Sequence, residues 1–188
     1  DLKGKKIGFS VGGFEEALLS GMLQKYNLKM SDVDLVNINF SLSPSLIAKK
    51  VDAVIGAFRN FELNQMDIVN HPGRAFYPEE HGVPTYEELI YIANQKNKNN
   101  PLFDKFFSAI QKATLTIIND PVSTWKDFSS YRKGLDDELN KRAYKDTISR
   151  FALRPQAHDI KTYKNFSNFL KRKGIIKKIT KVETFAKP

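Results

Sequence analysis

The sequence predicts an α/β fold, with a parallel-dominated sheet first and a run of helices after it. Two observations carry this. Three short apolar runs, Lys5–Ser10, Asp34–Phe40 and Val51–Gly56, alternate with two helical patterns, and strand–helix–strand–helix–strand at this spacing marks a parallel sheet. From Pro101 onward the apolar residues recur at three and four, the period of amphipathic helices. The chain accordingly reads as an α/β part over residues 1–100 and a helical segment over 101–188 that packs on it and returns from it.

Each element has a local reason. Lys5–Ser10 (KKIGFS) reads as a short buried strand running into Val11-Gly12-Gly13. Phe14–Tyr26 then reads as a helix. Phe14, Leu18, Met22 and Tyr26 fall on one stripe with Leu19 and Leu23 beside it, and Glu15 and Glu16 sit in the first turn, where the helix dipole favours negative charge. Asp34–Phe40 alternates as a strand does. Ser43–Lys50 is a short helix with Pro44 in its first turn, and the β-branched run Val51–Gly56 is a further buried strand. Asn60–Val69 is expected to be a short helix broken by His71-Pro72-Gly73. Arg74–Tyr77 and Glu88–Ala93 read as two more strands, joined by the loop Pro78–Tyr86. After the polar stretch Asn94–Asn100, helices are expected over Pro101–Asn119, Leu135–Ala152 and Ile160–Arg172. There is no internal repeat.

Composition narrows the function. With 188 residues, 41% hydrophobic and 27% charged, the chain can bury a sizeable core and is no disordered tail. The absence of cysteine removes disulfides, thiolate catalysis and cysteine-ligated metals. No apolar run approaches the ~20 residues needed to cross a bilayer. The opening Asp1-Leu2-Lys3-Gly4-Lys5-Lys6 reads as the interior of a longer protein, so compartment is not legible from the chain's first residues. The net charge of +9 resides in the second half, densest from Lys161 to Lys187. Lysines at a helix end and in the stretch after it are ordinarily a solvated face, and no nucleic-acid-binding motif surrounds them.

Few motifs carry chemistry. His71, His81 and His158 lie in turn-like segments without ligand spacing, so no metal site is expected. No G-x-S-x-G occurs, Ser10 is the only serine in a strand-to-helix turn, and no nucleophile–base pair is apparent. No catalytic residue and no cofactor is expected. Gly12-Gly13, between a strand and a helix N-terminus, suits either a polar ligand atom or simply a tight turn. The segment Gly56-Ala57-Phe58-Arg59-Asn60-Phe61-Glu62 follows the third strand. A helical turn there places the Phe58 ring and the Glu62 carboxylate on one face, at the edge where open α/β sheets bind ligands. A ring and a carboxylate suit an amino-substituted heteroaromatic, by stacking and by accepting amine hydrogens; a core phenylalanine beside a solvated glutamate fits the same spacing.

The segments DLKGKKIG (1–8), VDAVIG (51–56), GAF-x-x-x-E (56–62) and EHGVPTYEEL (80–89), with Asp120-Pro121 and Trp125 further on, resemble the periplasmic solute-binding proteins of ABC importers. More narrowly, they are similar to the branch that binds thiamine pyrimidine precursors and shares its fold with the eukaryotic pyrimidine synthases. The resemblance implies a periplasmic binding protein-like (type II) lobe: two α/β lobes are joined by two hinge crossings, with ligand in the cleft. DLKGKKIG would open the second lobe, with roughly a hundred first-lobe residues before it. It implies that Phe58 stacks on the pyrimidine and that Glu62 pairs with its ring nitrogen and exocyclic amine. Gly12, Gly13 and Phe14 would line the cleft. Phenylalanine stands at position 58 where the family more often has tyrosine.

The candidate ligand-binding residues are therefore Ser10, Gly12, Gly13, Phe14, Phe58, Asn60 and Glu62. The expected function is capture of a hydroxymethylpyrimidine- or formylaminopyrimidine-type solute for an ABC permease, in the periplasm or as an extracellular lipoprotein, without catalysis and without nucleic acid. A homodimer is expected for a chain lacking first-lobe sequence. Other readings are a binder of alkanesulfonate, taurine or nitrate-type anions, a synthase that consumes a pyridoxal cofactor using first-lobe residues, and a nucleic-acid binder acting through the basic stretch.

Overall fold

The computed structural model describes residues 1–186. Strand β1 (Lys6–Phe9) is central, paired in parallel with β2 (Asp34–Asn37) on one side and β3 (Ala53–Val54) on the other. The register sets Ile7 beside Leu35 and Ala53. Helix α1 (Phe14–Gln24) connects β1 to β2, α2 (Leu42–Ile47) connects β2 to β3, and α3 (Glu62–Ile68) follows β3. The α/β class and the three parallel strands are as the spacing predicts.

The chain forms two compact units. The first comprises residues 1–86 together with 160–181. Its core is Ile7, Leu18, Leu19, Leu23, Val33, Ile55, Val83 and Phe169, with Ile38, Leu42 and Val51 forming a smaller cluster. Helix α7 (Ile160–Arg172) belongs to this unit, its apolar stripe seated on α1. Gly21 makes that seat possible, because a Cβ there would stand 2.8 Å from the Phe169 ring. At the end of the contact, Lys173 Nζ donates to Ser20 Oγ (2.9 Å) and Gln24 Oε1 (3.0 Å). Burial, and then the neighbouring Arg172, hold its ammonium below the usual lysine range.

The second unit comprises residues 87–159 and 182–186. It holds α4 (Leu102–Asn119), α5 (Pro121–Tyr131) and α6 (Glu138–Ile148). Tyr91 packs edge-on against Phe106 and Phe107, and Trp125 lies against Phe128 and Tyr144.

Three expectations are corrected. Arg74–Tyr77 and Glu88–Ala93 are not strands; both are irregular, because neither meets a strand with which to form a ladder. The first is instead held by side chains: Arg59 lies over the Tyr77 ring (4.0 Å) and His81 lies against the Phe76 ring (5.7 Å), while just beyond the segment Arg59 pairs with Glu79 (2.8 Å) and Tyr26 Oη bonds His81 Nδ1 (2.7 Å). The third helix of the second half starts at Glu138 rather than Leu135, since Asp137 caps it by accepting the Asn140 N–H at 2.7 Å. Between α4 and α6 stands α5, which the periodicity did not delimit. Asp120, which accepts the Ser123 N–H at 3.0 Å, and Pro121 at its first position start it. Among the described residues no helix is long and apolar enough to cross a membrane.

Candidate functional site

Parallel strands deliver three loops to one edge of the sheet. The loops Ser10–Gly13, Ile38–Ser41 and Gly56–Phe61 all leave the carboxyl ends of their strands, so residues far apart in sequence meet there. All three belong to the first unit.

Glu15 organises this edge. Its side chain folds back from the first turn of α1, and its Oε2 accepts the N–H of Ser10 (2.7 Å) and of Val11 (3.1 Å). The residue is only 7% exposed. Glu16 takes the next donor, Gly13 N–H, at 3.3 Å. The N–H groups of Glu15 and Ala17 go to the carbonyls of Val11 and Gly13. Much of the donor supply of this helix start is therefore consumed by the protein's own acids and carbonyls.

The neighbouring loops are tied to the same frame. Ser10 Oγ accepts the N–H of Phe40 at 3.0 Å. Phe40 and Asn39 both sit in the left-handed region (φ 63° and 47°), and the Phe40 ring is 73% exposed. A bulky residue held with positive φ is strained, and such strain gathers at functional loops. On the other side Gly56 has φ 94°, and a Cβ there would fall 2.2 Å from Glu15 Oε1. Glycine is required on both counts. Past it, Glu62 Oε2 accepts the N–H of Phe58 at 2.7 Å, which closes the turn that opens α3.

The predicted residues land as follows. Ser10, Gly12, Gly13, Phe58, Asn60 and Glu62 all lie in these edge loops or at the helix starts they lead into. Phe58 is exposed and Glu62 half-buried, with one carboxylate oxygen committed to the backbone. The Asn60 carbonyl accepts from Asn64 Nδ2 at 3.0 Å. The Phe14 ring packs edge-on to Tyr86 (5.9 Å) and Phe166 (6.3 Å), alongside the stacked pair Tyr86–Phe166 (4.4 Å). Sequence reasoning missed two members. Glu15 was legible only as a first-turn acid, since its fold-back onto Ser10 and Val11 depends on the turn conformation. Phe40 carried no signal, because nothing in the sequence marks a left-handed phenylalanine.

A depression of about 530 Å³ lies elsewhere in the same unit, lined by Gly21, Gln24, Gly82, Phe169 and three cations, Lys25, Arg172 and Lys173. Those cations stand at the carboxyl ends of α1 and α7, where the dipole favours them. Among the described residues no cluster of three or more metal-ligating side chains occurs.

The family model described as "NMT1/THI5 like" matches residues 1–124. The chain belongs to this family. A Haemophilus influenzae protein provisionally named for thiamine biosynthesis is 46% identical over 99% of this chain and 60% of its own length. A Schizosaccharomyces pombe 4-amino-5-hydroxymethyl-2-methylpyrimidine phosphate synthase is 26% identical over 94% of this chain and 54% of its own. The formylaminopyrimidine-binding protein of Halalkalibacterium halodurans is 27% identical over 64% of this chain and 37% of its own. A solved periplasmic sulfonate-binding protein from Methylobacillus flagellatus matches 100% of this chain with 58% of its own, at 18% identity and a TM-score of 0.41. The chain thus spans about three fifths or less of the length of these relatives. Within this NMT1/THI5-like member, the edge loops, the first-turn acids and α3 all fall inside the matched residues.

Proposed function

We propose that this chain supplies part of the binding site of a solute-binding protein that captures a thiamine pyrimidine precursor of the hydroxymethylpyrimidine or formylaminopyrimidine type. The observation that carries the reading is the polarity of the sheet edge. Glu15 and Glu62 bring two carboxylates to it, while the N–H groups of Ser10, Val11, Gly13 and Phe58 are spent on acids of the chain itself. Such an edge offers acceptors beside the exposed Phe40 and Phe58 rings, which favours a flat ligand rich in N–H groups. A sulfonate or nitrate would meet carboxylates where it needs donors. The family membership and the name of the Halalkalibacterium relative support the same ligand class.

Capture needs no chemistry: a ligand that binds a closed arrangement better than an open one shifts the equilibrium between them. The partner is then an ABC permease, and the location is periplasmic, or extracellular on a lipid anchor. The synthase name of the fission-yeast relative favours a second reading, pyrimidine synthesis on the same frame. Turnover of a pyridoxal cofactor by the pure protein would select it.

The binding reading is tested by calorimetric titration of the complete gene product with 4-amino-5-hydroxymethyl-2-methylpyrimidine, with taurine as comparison. Glu62→Gln is expected to weaken pyrimidine binding about tenfold or more, since a hydrogen bond to a charged group is worth ~1.5–3 kcal/mol. Unchanged affinity removes Glu62 from the site, and tighter binding of taurine than of the pyrimidine overturns the ligand class.

A further inference from the structure

The depression at the carboxyl end of α1 gathers positive charge that the fold leaves uncompensated. Lys25, Arg172 and Lys173 line it, with Gly21 and Gly82 as walls without side chains. The helix ends account for only part of this charge. Each of the two carboxyl termini presents about half a negative charge, so together they offset roughly one of the three cations. No carboxylate lines the depression, and among the described residues none stands within ion-pair distance of the three.

The cations are also steered toward one place. Lys173 lies past the last residue of α7 and turns back onto α1, where Ser20 Oγ (2.9 Å) and Gln24 Oε1 (3.0 Å) accept two of the three N–H groups an ammonium carries. Lys25 is tied by one N–H to the Glu80 carbonyl, 55 positions away in sequence. The Arg172 guanidinium has no hydrogen-bonded or ion-paired partner among the described residues. Burial and then the Arg172 charge lower the proton affinity of the half-buried Lys173, so these two cations already repel each other there. Like charges held together with donors to spare are stabilised by an anion whose oxygens accept several charge-assisted hydrogen bonds at once.

We propose that this depression is a binding site for a multivalent oxyanion of the phosphate class, held by Arg172, Lys173 and Lys25. At about 530 Å³ it has room for a free phosphate or diphosphate ion, or for a small organic phosphate ester. Arg172 supplies a planar fork of donors suited to two phosphate oxygens, and the lysines supply point charges beside it. The site is separate from the sheet edge. The edge loops adjoin the amino end of α1, and this depression adjoins its carboxyl end, about 16 Å further along the axis of an 11-residue helix. The proposal goes beyond the pyrimidine reading and does not depend on it.

The test titrates the complete gene product with inorganic pyrophosphate and with phenyl phosphate at constant ionic strength, by calorimetry, for the wild type, Arg172→Gln and Lys177→Gln. Arg172 is exposed, so its replacement leaves the packing of α7 intact; Lys177 belongs to the same basic stretch and does not line the depression. The wild type is expected to bind at least one probe with a Kd below about 1 mM. Arg172→Gln should weaken that binding about tenfold or more, as for the loss of hydrogen bonds to a charged group, and Lys177→Gln by less than about twofold. Tighter binding of pyrophosphate supports a free ion as the ligand, and tighter binding of the phenyl ester supports an organic phosphate. Absence of binding by the wild type overturns the proposal, and so does an Arg172→Gln variant that binds as the wild type does. Equal weakening by the two variants also overturns it, because only a general attraction to the basic stretch would then be at work. Binding of hexaglutamate without binding of either probe overturns it in favour of an acidic protein segment. The pyrimidine titration is a separate measurement, so its failure and the failure of this proposal are told apart.

Discussion

Gly56 shows how much one residue can decide. With φ at 94° it occupies backbone space that L side chains avoid, and it gives Glu15 the room its carboxylate occupies. Gly56→Ala would add both the strain of a left-handed alanine and a clash 2.2 Å from Glu15 Oε1. The expected loss is about 2–4 kcal/mol, from conformational strain of ~1–3 kcal/mol together with the displaced carboxylate. Urea unfolding measures it, and a loss below about 0.5 kcal/mol would mean that the loop yields freely. The sequence shows Gly56 closing a β-branched run, which was legible as a strand end. The pairing with Glu15 was not, since 41 positions separate the two residues and only the parallel sheet brings them together.

Elements are held by faces. Helix α7 was legible from Ile160, Tyr163, Phe166, Phe169 and Leu170, but its periodicity states only that some face is covered. The structure supplies the cover: Phe169, 2% exposed, fits against Gly21 of α1, and Phe166 stacks on Tyr86. Phe169→Ala should therefore destabilise the first unit by about 3–5 kcal/mol, the range for truncating a buried phenylalanine. Chemical denaturation followed by far-ultraviolet circular dichroism checks this, and a cost near zero would show that α7 contributes nothing to that core. Two segments with strand-like composition, 74–77 and 88–93, failed to become strands for the converse reason. A strand is a pairing, and composition can propose only one side of it.

At the scale of the molecule, the run Leu89, Ile90, Tyr91 and Ile92 is 83%, 55%, 58% and 88% exposed. Contiguous apolar residues with strand-forming side chains and no ladder partner are adhesive. The chain of residues 1–188 is expected to self-associate through them as its concentration rises. Leu89→Lys with Ile92→Lys should shift the distribution toward monomer in sedimentation velocity. An identical distribution for variant and parent would place any association elsewhere. The basic stretch beyond Lys161 leaves the first hundred residues near neutrality, so the charge of +9 does not describe the sheet edge, where Glu15 and Glu62 sit on backbone donors and Arg59 is paired with Glu79.

The sequence by itself determined the α/β class, the order of the three strands along the chain, most of the helices and the Phe58–Glu62 turn. Each of these is written in neighbours within a few residues, as a period, a cap or a glycine. Only the tertiary structure decided which strand is central, what α7 covers, and that Glu15 turns back to hold Ser10 and Val11 with one oxygen while the other packs against Gly56. Those facts depend on contacts between residues distant in sequence, and local pattern is silent about which distant surface a side chain will meet.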